Sequence, residues 1–245
     1  MSACASVSFE TFVERANRAR TTEALVSELL AAVKQHGLDR MVFCLETKHH
    51  GIDLEPGFGV LQNYPADWMN YYREKGFARI DPVTLYCKQK KDTFTWAEIP
   101  QRMAMSTLQF KCLNLGIEAG LHNGMCLPLF GPGQFAGIGF ASHEKRGSFD
   151  GKSDLITSYA NHFYIAFQRI NRREDYKVPN ICLSYRETEI LKWAAEGKSK
   201  TDIGDILNIS DNTVDSHLRR IYKKLNASNR VVATTKAVSY GLIRT

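Results

Sequence analysis

The strongest constraint on this chain lies in its last quarter, where helix start and stop signals follow one another at short intervals. Ser184-x-x-Glu187 is a capping box that opens a helix over Tyr185 to Glu196, and Gly197 supplies its stop. Ser199-x-x-Asp202 caps a second helix, which presents Ile203, Ile206 and Leu207. Ser210 caps a third, Asp211 to Leu225, and Ser228 a fourth, Asn229 to Tyr240, ended by Gly241. Only Asn208-Ile209-Ser210 separates the second helix from the third. Two short helices so tightly joined, the latter basic, are the sequence form of a helix-turn-helix.

The third helix divides into two faces. Val214, Leu218, Ile221, Tyr222 and Leu225 form one apolar stripe at helical spacing. Opposite them stand Asn212, Ser216, Arg219, Arg220 and Lys223. An exposed face carrying an amide, a hydroxyl and three cations suits the major groove of DNA. Arg can donate two bonds to guanine and Asn can bond adenine, whereas cations near the helix end suit phosphate. Asp215 is the discordant charge; it can accept from cytosine N4 or brace Arg219 at i+4. Charge distribution agrees. The chain is +6 overall, and from Pro179 onward it holds eleven Lys/Arg against seven Asp/Glu, a net of 11 − 7 = +4.

Upstream, helical and strand patterns alternate. Phe9 to His36 reads as mostly helical, Arg40 to Lys48 and Phe58 to Gln62 as strands, and Pro65 to Gly76 as a helix with Pro in its first turn. Helices over Asp81 to Lys90 and Ser106 to Gly116 follow. Gly124 to Phe130 and Gln134 to Ser142 are apolar strands joined through Gly131-Pro132-Gly133, a hairpin signal. Gly151 to Arg172 repeats apolar residues at helical spacing. The pattern predicts an α+β chain: an N-terminal α/β/α sandwich with a mostly antiparallel sheet, in which the resemblance described below implies a ligand pocket, then an all-α four-helix domain. The polar run Arg172 to Asn180 gives expected domains over 1–173 and 181–245, with a linker over 174–180.

Composition excludes several classes. At 44 % hydrophobic and 24 % charged residues, the chain is not disordered throughout. Its longest apolar run, Met125 to Ala141, is broken by four Gly and two Pro, so no membrane span is expected. The first residues lack a basic stretch before an apolar core, which points to the cytoplasm rather than secretion. The six cysteines lie far apart without a Cys-x-x-Cys pair, which argues against a zinc site or a disulfide framework.

The segment from Leu183 through Glu187, Leu191 and Gly197 to Asp202-Ile-Gly-Asp-Ile-Leu-Asn-Ile-Ser210, Lys223-Lys-Leu-Asn-Ala-Ser-Asn-Arg230 and Gly241-Leu-Ile closely resembles the LuxR-type helix-turn-helix. Further upstream, Tyr64-Pro-Ala-Asp-Trp68-x-x-x-Tyr72, Asp81-Pro82-Val83, Phe94-x-Trp96 and Gly120-Leu-x-x-Gly124-x-x-x-Pro128-Leu resemble the autoinducer-binding domain of quorum-sensing LuxR receptors. The resemblance implies a ligand-responsive transcriptional regulator that binds an acyl-homoserine lactone. It also implies binding to an inverted-repeat DNA site as a homodimer and work with RNA polymerase, with no cofactor. By the same resemblance, Trp68 gives its indole N–H to the lactone carbonyl and Asp81 accepts the amide N–H. Tyr72 donates to the acyl carbonyl, Trp96 packs on the lactone ring, and Tyr64 and Gly139 complete the lining. Gly139 stands where many members carry Ser or Thr; the missing side chain is expected to enlarge the cavity and to admit a bulky, branched or aromatic acyl group.

Rival readings fit less well. A response regulator should open with a strand and paired acids and place its phosphoacceptor at a strand end, but this chain opens with a helix and Asp53 follows no apolar strand. An enzyme should show a metal-ligand cluster, a Gly-x-Ser-x-Gly elbow or a phosphate-binding Gly loop, and none is present. His49-His50 reads as an exposed turn. The remaining alternative is an orphan LuxR-type receptor for a different small molecule.

Overall fold

The computed structural model describes residues 7–49, 52, 54–90, 92–131, 134–145, 151–172 and 181–243. The chain divides into two compact units, an α/β unit and then an all-helical one. The expected linker over 174–180 lies outside the described residues, as do Cys4, His50, Asp53, Pro132 and Gly133.

In the first unit, strands β1 (Arg40–Leu45), β2 (Gly57–Gln62), β3 (Phe94–Thr95), β4 (His122–Gly131) and β5 (Gln134–Ser142) form one sheet in the order β2-β1-β5-β4-β3. β1 pairs antiparallel with both β2 and β5, and β3 antiparallel with β4. Around the sheet lie α1 (Phe9–Arg18), α2 (Thr22–Lys34), α3 (Ala66–Glu74), α4 (Pro82–Gln89), α5 (Ile99–Arg102), α6 (Thr107–Glu118) and α7 (Ser153–Ile170).

Residue size alternates with the strand period of two. Met41, Phe43 and Leu45, Met125, Leu127 and Leu129, and Ala136, Ile138 and Phe140 all join the core built with α1, α2 and α7. The residues between them are mostly small: Val42 and Cys44 on β1, Cys126 on β4, Gly137 and Gly139 on β5. One face of the sheet is thus filled and the other hollowed. Most apolar residues of α7 enter this core, with Tyr159, Phe163, Ala166 and Phe167 all buried, whereas Ile165 is exposed. The apolar stripe of that helix is therefore largely internal.

Helix ends follow local chemistry. Ser8, Thr21, Asp81 and Ser106 each accept a backbone N–H at the start of α1, α2, α4 and α6. Pro65 precedes α3 rather than joining its first turn, and Gly76, at φ +64°, follows its end.

The second unit holds α8 (Tyr185–Ala195), α9 (Lys200–Leu207), α10 (Asp211–Leu225) and α11 (Arg230–Ser239). Both expected capping boxes form, at Ser184 with Glu187 and at Ser199 with Asp202. Asn229, not Ser228, caps α11, accepting the Val232 N–H at 2.9 Å. Since the helix begins at Arg230, Ser228 lies one residue too early to reach that donor. Ile190, Leu191, Ala194, Ile203, Val214, Leu218, Ile221, Leu225, Ala233 and Ala237 are buried together. Ile206 is 44 % exposed and Ala237 is interior, while Val231 and Val238 are exposed.

Candidate functional site

The hollowed sheet face lines an apolar cavity with about 650 Å³ of space, its open mouth included. Tyr64, Trp68, Tyr72, Asp81, Trp96 and Gly139 all line it. Trp68 and Tyr72 are one turn apart on α3 and meet edge to face at 5.7 Å. Phe58 of β2 stacks on Tyr72 at 4.4 Å. Glycines seat the tryptophans: a Cβ at Gly124 would fall inside the Trp96 indole, and one at Gly116 would touch Trp68 at 3.6 Å. Gly139 acts likewise and corrects the expectation of added space. A Cβ there would lie 3.1 Å from Val42 Cγ1 and 3.5 Å from the Tyr64 hydroxyl, so these two groups take up the room.

Asp81 is both the N-cap of α4 and the one carboxylate in the aromatic cluster. Its Oδ1 accepts the Val83 N–H at 2.9 Å, with Pro82 fixed in the first turn. Its Oδ2 accepts from the Tyr72 hydroxyl at 2.8 Å and from Thr84 Oγ1 at 3.2 Å. Burial pushes the carboxyl above its ordinary range, and these donors oppose that rise without cancelling it. Burial also drives the Tyr72 hydroxyl far up, helped by the carboxylate beside it. Two other polar atoms in the lining, Tyr64 Oη and Trp96 Nε1, are buried without a hydrogen-bond partner.

Sequence reasoning missed part of this lining: Thr84, Glu46, Phe58 and the thiols of Cys44, Cys87, Cys112 and Cys126. Thr84 carries a usable signal, since it follows the capping Asp81 by three. The thiols are apolar in effect, since burial pushes Cys44 up to about 12 and Cys112 higher still. Among the described residues no His, Cys, Asp and Glu cluster could hold a metal ion. His49, expected in an exposed turn, is buried and bonded to Tyr164 and to the Thr47 carbonyl.

On the second unit, Asn208 adopts the left-handed conformation at φ 52° and turns the chain from α9 into α10. Gly204 permits that turn, since a Cβ there would meet the Ile209 carbonyl at 2.7 Å. Asn212, Ser216, Arg219, Arg220 and Lys223 are exposed on α10. Asp215, half-buried, accepts from Arg219 Nε at 2.8 Å and pairs with Lys200 of α9. Lys200 and then Arg219 hold its carboxyl below the ordinary range. Ser216 Oγ donates to the Asn212 carbonyl at 2.9 Å. Two further cations are engaged within the domain: Lys224, itself half-exposed, binds Glu187 at 2.6 Å, and Arg230 Nε donates to the Ala194 carbonyl at 3.1 Å. Among the described residues, Arg219, Arg220 and Lys223 are exposed on α10 without an ion pair to another helix.

Residues 21–166 match the family model of the autoinducer binding domain, and residues 182–237 match that of bacterial regulatory proteins of the luxR family. The chain belongs to the LuxR family of quorum-sensing transcriptional regulators. It is 30 % identical to the quorum sensing-dependent regulator RpaR of Rhodopseudomonas palustris, over 90 % of this chain and 89 % of that one. It is 34 % identical to the putative regulator y4qH of Sinorhizobium fredii over 74 % of this chain, a match that spans 56 % of y4qH. Escherichia coli SdiA superposes with a TM-score of 0.61 at 27 % identity, over 96 % of this chain and 98 % of its own. SdiA in complex with octanoyl-rac-glycerol superposes with 0.59 at 28 %, over 100 % and 99 %. Members of the LuxR family are regulators rather than enzymes. The first domain takes a small-molecule ligand and the second binds DNA. No helix among the described residues is long and apolar enough to cross a membrane.

Proposed function

We propose that the first unit binds an acyl-homoserine lactone, and that the protein, a cytoplasmic homodimer, couples this signal to transcription by RNA polymerase. The observation that carries the reading is the cavity's polar head: the buried Asp81 carboxylate and a Tyr64 hydroxyl buried without a partner, beside the indoles of Trp68 and Trp96 on largely apolar walls. An acyl-homoserine lactone offers two carbonyls, one amide N–H and an apolar tail. Asp81 accepts the amide N–H and Trp68 donates to the lactone carbonyl. Trp96 packs on the lactone ring. The Tyr72 hydroxyl is already engaged by Asp81, so the acyl carbonyl falls to Tyr64 rather than Tyr72.

The test is titration of wild type, Asp81→Ala and Asp81→Asn with a panel of acyl-homoserine lactones. A hydrogen bond to a charged group is worth ~1.5–3 kcal/mol, so Asp81→Ala should bind roughly ten- to a hundredfold more weakly. Asp81→Asn retains an acceptor and the helix cap and should be milder. Unchanged affinity in Asp81→Ala would place the ligand elsewhere. Gly139 supplies no hydroxyl for a lactone head and favours a second reading, an acyl ligand with a different head group. SdiA, complexed with octanoyl-rac-glycerol, is an instance of that class. Mass spectrometry of small molecules extracted from the purified protein separates the two readings.

On DNA, α10 reads an inverted repeat, one half-site per protomer, with half-site centres ~10 bp or a multiple of that apart. Arg219, braced by Asp215, reaches base edges together with Asn212 and Ser216, while Arg220 and Lys223 meet phosphate.

A further inference from the structure

One charged pair, at the edge of the cavity, has no part in this scheme. Glu46 lines the cavity and accepts from Lys88 Nζ at 2.7 Å through Oε2. Its place relative to the polar head follows from the strands. Gly139, beside the Tyr64 hydroxyl, pairs with Val42 on β1. Glu46 lies four residues further on, roughly 13 Å along the strand direction, and continues the ladder by donating its N–H to the Phe135 carbonyl at 3.0 Å. On the facing helix, Asp81 caps the start of α4 and Lys88 follows seven residues later, roughly 10 Å along the axis. Strand and helix leave the polar head and end together at the ion pair. Between the two ends lie Gly137 and the thiols of Cys44, Cys87 and Cys126. Beyond, Glu46, Phe58 and Thr84 also border a second, more open recess that includes Lys88.

The cavity therefore has two polar ends and an apolar middle. An acyl arm anchored by Asp81 would run through the middle and end at Glu46. A methyl terminus there would press hydrocarbon on a carboxylate and strip part of its hydration. A terminal hydroxyl would instead donate to Glu46 Oε1, the oxygen not engaged by Lys88. We propose that Glu46, held by Lys88, is a distal subsite that selects acyl groups ending in a hydroxyl. The proposal rests on the reading of this cavity as a site for an acyl ligand, and it does not depend on which head group the ligand carries.

The test measures binding of four probes to the full-length protein: octanoyl- and 8-hydroxyoctanoyl-homoserine lactone, and octanoyl- and 8-hydroxyoctanoyl-glycerol. Wild type should prefer the hydroxylated member of a pair by about tenfold. Glu46→Leu should abolish or reverse that preference, and Glu46→Gln, which keeps an acceptor and the side-chain shape, should reduce it. Should Glu46→Leu fold poorly, the Gln variant carries the comparison alone. A hydroxyl preference among the glycerol esters without lactone binding would overturn the lactone and support the subsite. Binding with no hydroxyl preference, or with one unmoved by both substitutions, would overturn the subsite and leave the acyl cavity standing. Binding of none of the four would overturn both.

Discussion

Tyr64 and Tyr72 show how two residues of one type, both in the same cavity wall, come to different chemistry. Tyr72 donates to a buried carboxylate, whereas the Tyr64 hydroxyl is buried with no partner. Removing a hydroxyl that makes no bond costs the free protein little, but removing a bond to a charged group costs ~1.5–3 kcal/mol. Tyr64→Phe should therefore leave the ligand-free melting temperature unchanged or slightly raised, while weakening acyl-ligand binding by about tenfold. Tyr72→Phe should lower the ligand-free melting temperature. Melts and titrations of the two variants side by side check this, and equal losses of stability would show that Tyr64 is also engaged in the free protein. The resemblance to the autoinducer-binding domain was enough to place Tyr64, Trp68, Tyr72, Asp81 and Trp96 around one cavity. Which hydroxyl stays free was not legible, because it depends on Asp81 turning Oδ2 toward Tyr72 and Thr84 when Oδ1 caps α4. The filling of the room above Gly139 was hidden for the same reason: it is set by Val42 across the sheet and Tyr64 above it.

Elements were legible where their ends are fixed by neighbours in sequence. The boxes at Ser184 and Ser199 are made by side chains three residues from the backbone groups they satisfy, so four or five letters suffice. β3 and α5 were not legible, since two strand residues and four helical ones carry no periodicity; β3 exists through its pairing with Cys126 and Met125 on β4. Glu187 shows that a cap can also join elements. Besides the Ser184 N–H at 2.7 Å it accepts from Lys224 of α10 at 2.6 Å. Burial alone would raise its carboxyl, yet these bonds outweigh burial and hold it below its ordinary value. A depressed folded-state value means the stabilisation is complete above the unfolded value, about 4.3, and is lost as pH falls through the folded one. Glu187→Gln should thus cost about 1 kcal/mol near pH 7, allowing for screening at half-exposed Lys224. That deficit should shrink steadily below pH 4.3 as the wild-type carboxyl protonates. Denaturation curves of both proteins across the range check this; a constant gap would mean that the charge contributes nothing.

At the scale of the whole molecule, the limiting fact is how little one protomer can read. The outward face of α10 offers Asn212, Ser216 and three cations, enough for a few base pairs. On the proposed reading as a homodimer, specific binding takes two copies, and Val231 and Val238, exposed seven residues apart on α11, would offer an apolar face for their pairing. Symmetry makes every lesion in the reading face count twice. Arg219→Ala should cost ~1–3 kcal/mol in each half-site and relax specificity at one base pair of each. The two half-sites are far enough apart for the losses to add. An operator altered at that base pair in only one half should therefore show half the difference between wild type and mutant. Lys223→Ala should weaken all sequences alike. Each protomer would then neutralise one phosphate fewer, and the slope of log K against log salt should become shallower by roughly 0.9 × 2. Arg219 is held by Asp215 before DNA arrives, so Asp215→Ala should resemble Arg219→Ala in specificity while adding non-specific affinity through the removal of a negative charge. Footprinting and salt titrations on symmetric and half-altered sites test the set. If Arg219→Ala and Lys223→Ala lower affinity uniformly on every operator, Arg219 touches only phosphate, and the bases are read by other residues of α10.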